Sequence, residues 1–399
     1  MALNTCNIID AYSLERTANC DNSLALSFES LGLVYYSFLI FTSVMALSYK
    51  YAQGSYQLKR GWNVFWYFFF IYLWLLIGLR HDVGGDWSAY VKAINIARTL
   101  NFSEIWGFGS DPSYGFLNWI TAKYFTYSAG TADQWSGVTD GRGCEIIGVT
   151  SCVHSVHGLG DISIYVVNLI CAFIFVYALT KFCKKLERPW LALVIACPYL
   201  ITVVAMGYTR QATAIAFIFI GLLALNQGKI FRFVFFLFVA TTFHRSALVL
   251  LPLAPMVFLT TRKFNFMIFI SLVIATSLVS IAILSTIYEK MYDYLTIEIN
   301  ASGAFIRVAM VVIPAAIYLF YRRLFVTNKY EKSVYTLLSL GAFGLVFLFL
   351  ALPSSAVVDR IALYWYSLQL FVFSSIPDAL GKRGRANFFW VLGIVLYSF

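Results

Sequence analysis

A chain of 399 residues that is 60% hydrophobic and only 12% charged, with a mean hydropathy of +0.76, is too apolar for an ordinary soluble domain. Lipid must solvate it. The net charge of +10 does not indicate nucleic acid as a partner: the chain has no basic run or RNA-binding motif, and most of its Lys and Arg sit in short loops between apolar segments, which is a pattern of membrane topology.

In chain order, the first thirty residues are polar and the first apolar run begins at Leu31, so no cleavable signal is expected and the first span serves as an anchor. Spans are predicted at about 31–49, 62–79, 162–180, 190–206, 210–226, 230–243, 246–260, 266–287, 304–321, 333–351, 361–376 and 386–399. The fold expected is all-α: one polytopic membrane domain over 1–399 with about 12 transmembrane helices. Residues 80–161 form a large extracytoplasmic segment between the second and third spans, with amphipathic or interfacial helices at Trp87 to Phe102 and Tyr114 to Tyr127. A Gly-, Ser- and Thr-rich loop from Thr131 to Gly160 completes it.

Orientation follows from the basic loops. Lys50, Lys59 and Arg60; Lys181, Lys184, Lys185 and Arg188; Lys229 and Arg232; Arg262 and Lys263; Arg322, Arg323, Lys329 and Lys332; and Lys382, Arg383 and Arg385 fall in alternate loops, which the positive-inside rule makes cytoplasmic. Both termini then face out. The apolar run from Ile230 to Thr260, interrupted by His244 and Arg245, preserves this parity only as two short spans, which sets those two residues in a recess below the outer membrane surface.

The polar features of the outer side carry the candidate chemistry. Arg80-His81-Asp82-Val83-Gly84-Gly85-Asp86-Trp87, at the exit of the second span, groups a cation, a titratable ring and two carboxylates round a Gly-Gly that permits a tight turn. Arg210-Gln211 opens the fifth span, Arg307 the ninth and Asp359-Arg360 the eleventh. Singly, each arginine reads as a snorkelling helix-end residue, and Asp359 as a partner for Arg360 or another arginine. Together Arg80, Arg210, Arg245, Arg307 and Arg360 repel one another unless an anion joins them, and phosphate or pyrophosphate fits the planar guanidinium. Asp111-Pro112 is expected to start a helix, with Asp as cap and Pro in the first turn.

Cys6, Cys20, Cys144 and Cys152 lie in polar segments, so Cys6 with Cys20 and Cys144 with Cys152 are disulfide candidates if those segments are outside. No metal or other cofactor is expected: His154 and His157 near Cys144 and Cys152 match no standard four-ligand spacing. Phosphate loops, a Gly-x-Ser-x-Gly elbow and His-Glu-x-x-His are absent, which removes NTP hydrolysis and the common hydrolases.

The ordered set Arg80, Val83-Gly84-Gly85-Asp86, Tyr90, Asp111-Pro112, Tyr114, Arg210-Gln211, His244-Arg245-Ser246-Ala247-Leu248, Arg307 and Asp359-Arg360 resembles the Wzy-type polysaccharide polymerases, and within them the EpsG-like group. The pattern departs from that family at Asp111, where Glu is frequent, and in the cysteine-containing loop, which looks like an insertion. The resemblance implies O-antigen or capsule assembly at the periplasmic face of the bacterial inner membrane, from repeat units on undecaprenyl pyrophosphate, with a chain-length regulator protein as a partner to expect. It implies a metal-independent glycosyltransferase that needs no nucleotide sugar. Arg80, Asp82, Arg210, Gln211, Arg245, Arg307, Asp359 and Arg360 are then the expected pyrophosphate and glycan contacts, with His244 as general base and Asp86 second. A flippase or transporter of lipid-linked oligosaccharide and an O-antigen ligase are the alternatives, since both require a cationic cavity.

Overall fold

In lipid a backbone N–H or C=O finds no partner outside the protein, so apolar runs close their hydrogen bonds within helices. The computed structural model describes residues 36–48, 64–105, 111–125, 162–261, 303–351, 355–381 and 385–398, and holds helices and turns with no strand among the described residues. The helices are α1 (Tyr36–Ser48), α2 (Val64–Gly78), α3 (Trp87–Thr99), α4 (Pro112–Tyr124), α5 (Ile162–Cys183), α6 (Pro189–Ala196) and α7 (Thr209–Leu225). They continue as α8 (Ile230–Phe243), α9 (Leu253–Thr261), α10 (Ala304–Tyr321), α11 (Lys329–Ala351), α12 (Ser355–Ala362), α13 (Tyr366–Ala379) and α14 (Arg385–Ser398). Helix α6 runs on through a wide π-helical segment, Cys197–Ala205, and α12 joins α13 through the 3-10 turn Leu363–Trp365.

Four of these, α5, α10, α11 and the continuous Ser355–Ala379, are long and apolar enough to cross a bilayer, and the other apolar helices are shorter; the described residues do not confirm the expected count of about twelve spans, two of which the sequence already makes short. The span expected at 266–287, the loop at 131–160 and the paired cysteines Cys6, Cys20, Cys144 and Cys152 lie outside the described residues. One boundary moves with consequence. The helix expected to begin near residue 361 begins at Ser355, so Asp359 and Arg360 occupy its second turn.

The membrane character shows in how α8 divides its residues. Phe233, Leu237 and Ala240 form a buried stripe at helical spacing, whereas Phe231, Phe235 and Phe238 are 92%, 60% and 67% exposed on the opposite side. Water would not tolerate that outer stripe; lipid does. With no hydrophobic drive between helices in lipid, close packing must hold them. Gly221 on α7 supplies it: a Cβ there would stand 3.2 Å from the Phe233 ring and 3.3 Å from Phe236 Cβ, so α8 lies tightly against α7. Helix α7 also packs on α5, which packs on α2, while α13 binds α6, α10 and α14. Trp66 on α2 stacks on Trp190 of α6 at 4.2 Å, tying the first group to the second.

The loops sort into two ends. At one, Arg188 makes a bidentate pair with Asp378 (2.8 and 2.7 Å), Asn328 Nδ2 donates to Asn226 O, and Lys185, Glu187, Asn226, Gln227 and Glu331 line a cavity of about 250 Å³. Helix α7 leads from there to the other end, where the connections after α2, before α4, α7 and α10, and after α8 meet. Among the described residues, the basic loops at 184–188, 226–229 and 322–328 thus share one end, as their alternation predicts; those at 50–60, 262–263 and 382–384 lie outside the described residues.

Candidate functional site

The segment between α2 and α3 is held by a backbone contact that only glycine allows. Gly84 has φ +95° and lies so close to the turn before α7 that a Cβ would come within 2.5 Å of Gly207 Cα. This contact sets the start of α7. Arg80 reinforces it: the guanidinium is buried, its Nη1 donates to Ile77 O (2.9 Å), and its Nη2 donates to Asn168 Oδ1 (3.2 Å) and to Thr209 Oγ1. Arg80 thus links α2, α5 and α7. Its neighbour His81 is exposed and its Nδ1 lies 2.6 Å from the Tyr165 hydroxyl.

The next residue on α7, Arg210, is the centre of the cluster. Its Nη1 donates to Asp111 Oδ2 at 2.9 Å, and its guanidinium carbon lies 5.7 Å from the Tyr90 ring and 5.8 Å from the Tyr114 ring. Two aromatic faces and a carboxylate therefore fix the cation, as cation–π geometry favours. Its Nε is buried without a hydrogen-bond partner, while 32% of the side chain as a whole is exposed. Tyr90 also donates its hydroxyl to Asp86 Oδ2 (3.3 Å); burial first and then Asp86 push this phenol up to about 12, so it stays a donor and couples Asp86 to Arg210.

Asp111 corrects a sequence expectation. It occupies the N-cap position of α4, yet its side chain makes no capping hydrogen bond. The carboxylate turns instead to Arg210 and to His244, whose Nδ1 lies 3.8 Å from the same oxygen. Burial acts to raise the Asp111 pKa, but His244, Arg210 and the backbone N–H of Arg245 outweigh it and hold the carboxyl below the usual range. A second tie anchors α4 here, from Ser113 Oγ to Thr242 Oγ1 at 2.8 Å.

His244 itself is where α8 stops. Its backbone is extended (φ −158°, ψ 112°), and the chain resumes as the 3-10 turn Arg245–Leu250, so the single apolar run is broken where the two-span reading requires. Ser246 Oγ lies 2.9 Å from the Tyr364 hydroxyl, and Gln211 Nε2 donates to Arg360 O at 2.7 Å, which brings the helix of Asp359 and Arg360 against this turn. Gln211 is buried, while Arg360 is exposed. One turn away, Arg307 Nε pairs with Asp359 Oδ1 and its guanidinium lies 5.7 Å from the Tyr199 ring. The π-helical segment, a wide turn type that recurs at functional sites, carries Tyr199.

The structure therefore joins Asp86, Arg210, Gln211, His244, Arg245, Arg307, Asp359 and Arg360 through direct contacts or a shared turn. Arg80 adjoins them through Thr209 but faces the protein. Asp82 stands apart: it is exposed, with φ +47°, and makes no hydrogen bond or ion pair among the described residues. The sequence predicts Asp111 as a cap, while Asn168, Tyr199 and Tyr364 fall inside expected spans and are not singled out. Only Asp111 carries a sequence signal, its place among the outer-side acids before a proline.

No curated protein and no solved structure matches the chain. The family model described as the EpsG family matches residues 154–399, which include Arg210, His244, Arg307 and Arg360, whereas Arg80, Asp86 and Asp111 precede the matched region. With well over half of its length matched, this membrane protein belongs to the EpsG family.

Proposed function

We propose that the protein is a polysaccharide polymerase, moving a growing glycan from one undecaprenyl pyrophosphate carrier to the sugar of a second at the periplasmic face of the inner membrane. The observation that carries the reading is Arg210: a guanidinium clamped by Asp111, Tyr90 and Tyr114, with about a third of its side chain still exposed. Five arginines, Arg80, Arg210, Arg245, Arg307 and Arg360, stand against three carboxylates, Asp86, Asp111 and Asp359, leaving an excess of positive charge that an anionic leaving group would neutralise.

In this reading an acceptor hydroxyl attacks the anomeric carbon of the donor glycan. The new glycosidic C–O bond forms as the anomeric C–O bond to pyrophosphate breaks, and the electron pair leaves on the phosphate oxygen. Arg210, Arg245, Arg307 and Arg360 receive the developing charge, while Arg80 fixes the turn that presents Arg210. His244 takes the hydroxyl proton, because a neutral imidazole nitrogen is a competent proton acceptor and Asp86 already accepts the Tyr90 hydroxyl. Neither a metal nor a nucleotide sugar enters the scheme.

The test is reconstitution of the full chain in liposomes with undecaprenyl pyrophosphate-linked repeat units extracted from cells lacking the protein. A ladder of lengthening products is expected. Vesicle transport without lengthening would make the protein a flippase, and a single transfer to a lipid acceptor would make it a ligase; either would overturn the polymerase reading.

A further inference from the structure

We infer that Asp111 is a positioning residue for His244, holding the imidazole in the tautomer that leaves Nε2 free to take the acceptor proton; this rests on the polymerase reading above. Three observations point to it. Asp111 sits at an N-cap without capping, so helix initiation does not explain its orientation. Its side chain is 4% exposed, and a carboxylate so buried persists only with cationic or donor partners, here Arg210 at 2.9 Å and His244 Nδ1 at 3.8 Å. The facing His244 is held at a helix break in extended backbone, which fixes the ring between α4 and the 245–250 turn.

The 3.8 Å separation exceeds a hydrogen bond by about 1 Å, a gap of the size that catalytic contacts close when substrate engages. With Nδ1–H directed at the carboxylate, Nε2 keeps its lone pair. As the acceptor hydroxyl attacks, its proton passes to Nε2 and the imidazolium that forms is stabilised by Asp111 across the ring. Arg210 keeps Asp111 ionised through this step and binds the departing pyrophosphate with its remaining edge. One carboxylate thereby coordinates base and leaving-group clamp.

Asp111 from α4 faces the imidazole; Arg210 from α7 and the backbone N–H of Arg245 bind that same carboxylate, and Ser246, two residues on, meets Tyr364. Helix α12 also packs on this turn, but its Asp359 is paired with Arg307. Asp111 is thus the carboxylate whose removal would be felt by a protonated His244.

The experiment uses the full chain in liposomes with the extracted lipid-linked repeat unit, comparing wild type, Asp111→Asn, Asp111→Glu, His244→Gln and the double variant Asp111→Asn/His244→Gln across pH. Asp111→Asn is expected to slow extension on the order of 10²-fold and to move the acid limb of kcat/KM about one pH unit lower, since the imidazolium has lost its counter-charge. Asp111→Glu, which keeps the charge, should leave the limb at its wild-type position. The double variant should lose far less than the product of the two single losses, because the part of the Asp111 effect that acts through His244 is already gone. A purely structural Asp111 would lower the rate without moving the limb, and losses that multiply in the double variant would show that it acts independently of His244; either result overturns the proposal while the wild-type ladder still supports the polymerase reading. No ladder from wild type overturns both.

Discussion

Replacing Gly84 with alanine tests the architecture of the site at one atom. The backbone there has φ +95°, a region that costs a side-chain-bearing residue about 1–3 kcal/mol. The added Cβ would also meet Gly207 Cα at 2.5 Å. Carbon atoms need about 3.5 Å, so one of two backbones must retreat by about 1 Å. A retreat of the turn before α7 passes directly to the site, because Gly207 lies two residues from Thr209, which accepts from Arg80, and three from Arg210. A displacement of about 1 Å in a positioned catalytic group lowers rates on the order of 10²-fold. Gly84→Ala should therefore melt slightly earlier than wild type in detergent yet extend glycan about a hundred times more slowly in the reconstituted assay. Gly85→Ala is the control, since a Cβ there meets nothing within 4 Å. Equal extension rates in the two variants would refute the role assigned to the Gly84–Gly207 contact.

At the opposite end of the bundle, Arg188→Ala strands Asp378 in a pair whose side chains are only 8% and 16% exposed; a loss of about 3 kcal/mol is expected, read as a lowered melting temperature. Arg360→Ala should keep the wild-type melting temperature because the side chain is exposed, and lose the product ladder; unchanged ladder formation would remove Arg360 from the clamp. Arg210→Ala should lose both ladder and stability, since it leaves the buried Asp111 without its closest cation. The depressed Asp111 pKa contributes stability that is fully present above the unfolded carboxylate value of about 3.9 and disappears as pH falls through the lower folded value. Melting temperatures of wild type and Asp111→Asn should accordingly differ at neutral pH and converge as the pH is taken below 4.

The sequence made the helical class, the grouping of loops at two ends and the break at His244 legible, because each depends on patterns that lipid enforces locally: apolar length, basic loops and a pair of polar residues inside an apolar run. What escaped depended on distant partners. Arg80 read as a cation available to a ligand, but Asn168 and Thr209, which take up one of its nitrogens, lie 88 and 129 residues away. Asp111 had the form of a cap, and only the convergence of α4, α7 and the end of α8 turned it inward. Tyr199 gave no signal at all, since an apolar stretch around Pro198 does not announce a π-helical segment.

Helix α8 contains 14 residues and so rises about 21 Å, roughly 9 Å less than the hydrocarbon of an average bilayer. As a crossing helix in the proposed topology it would require the membrane to thin, or water to reach down to the helix end, and either response would bring headgroups toward His244 instead of asking a phosphate to climb out of the surface. The proposed topology thereby matches the protein to a particular bilayer thickness. Turnover in liposomes should fall as acyl chains lengthen, even though no residue of the site has been altered.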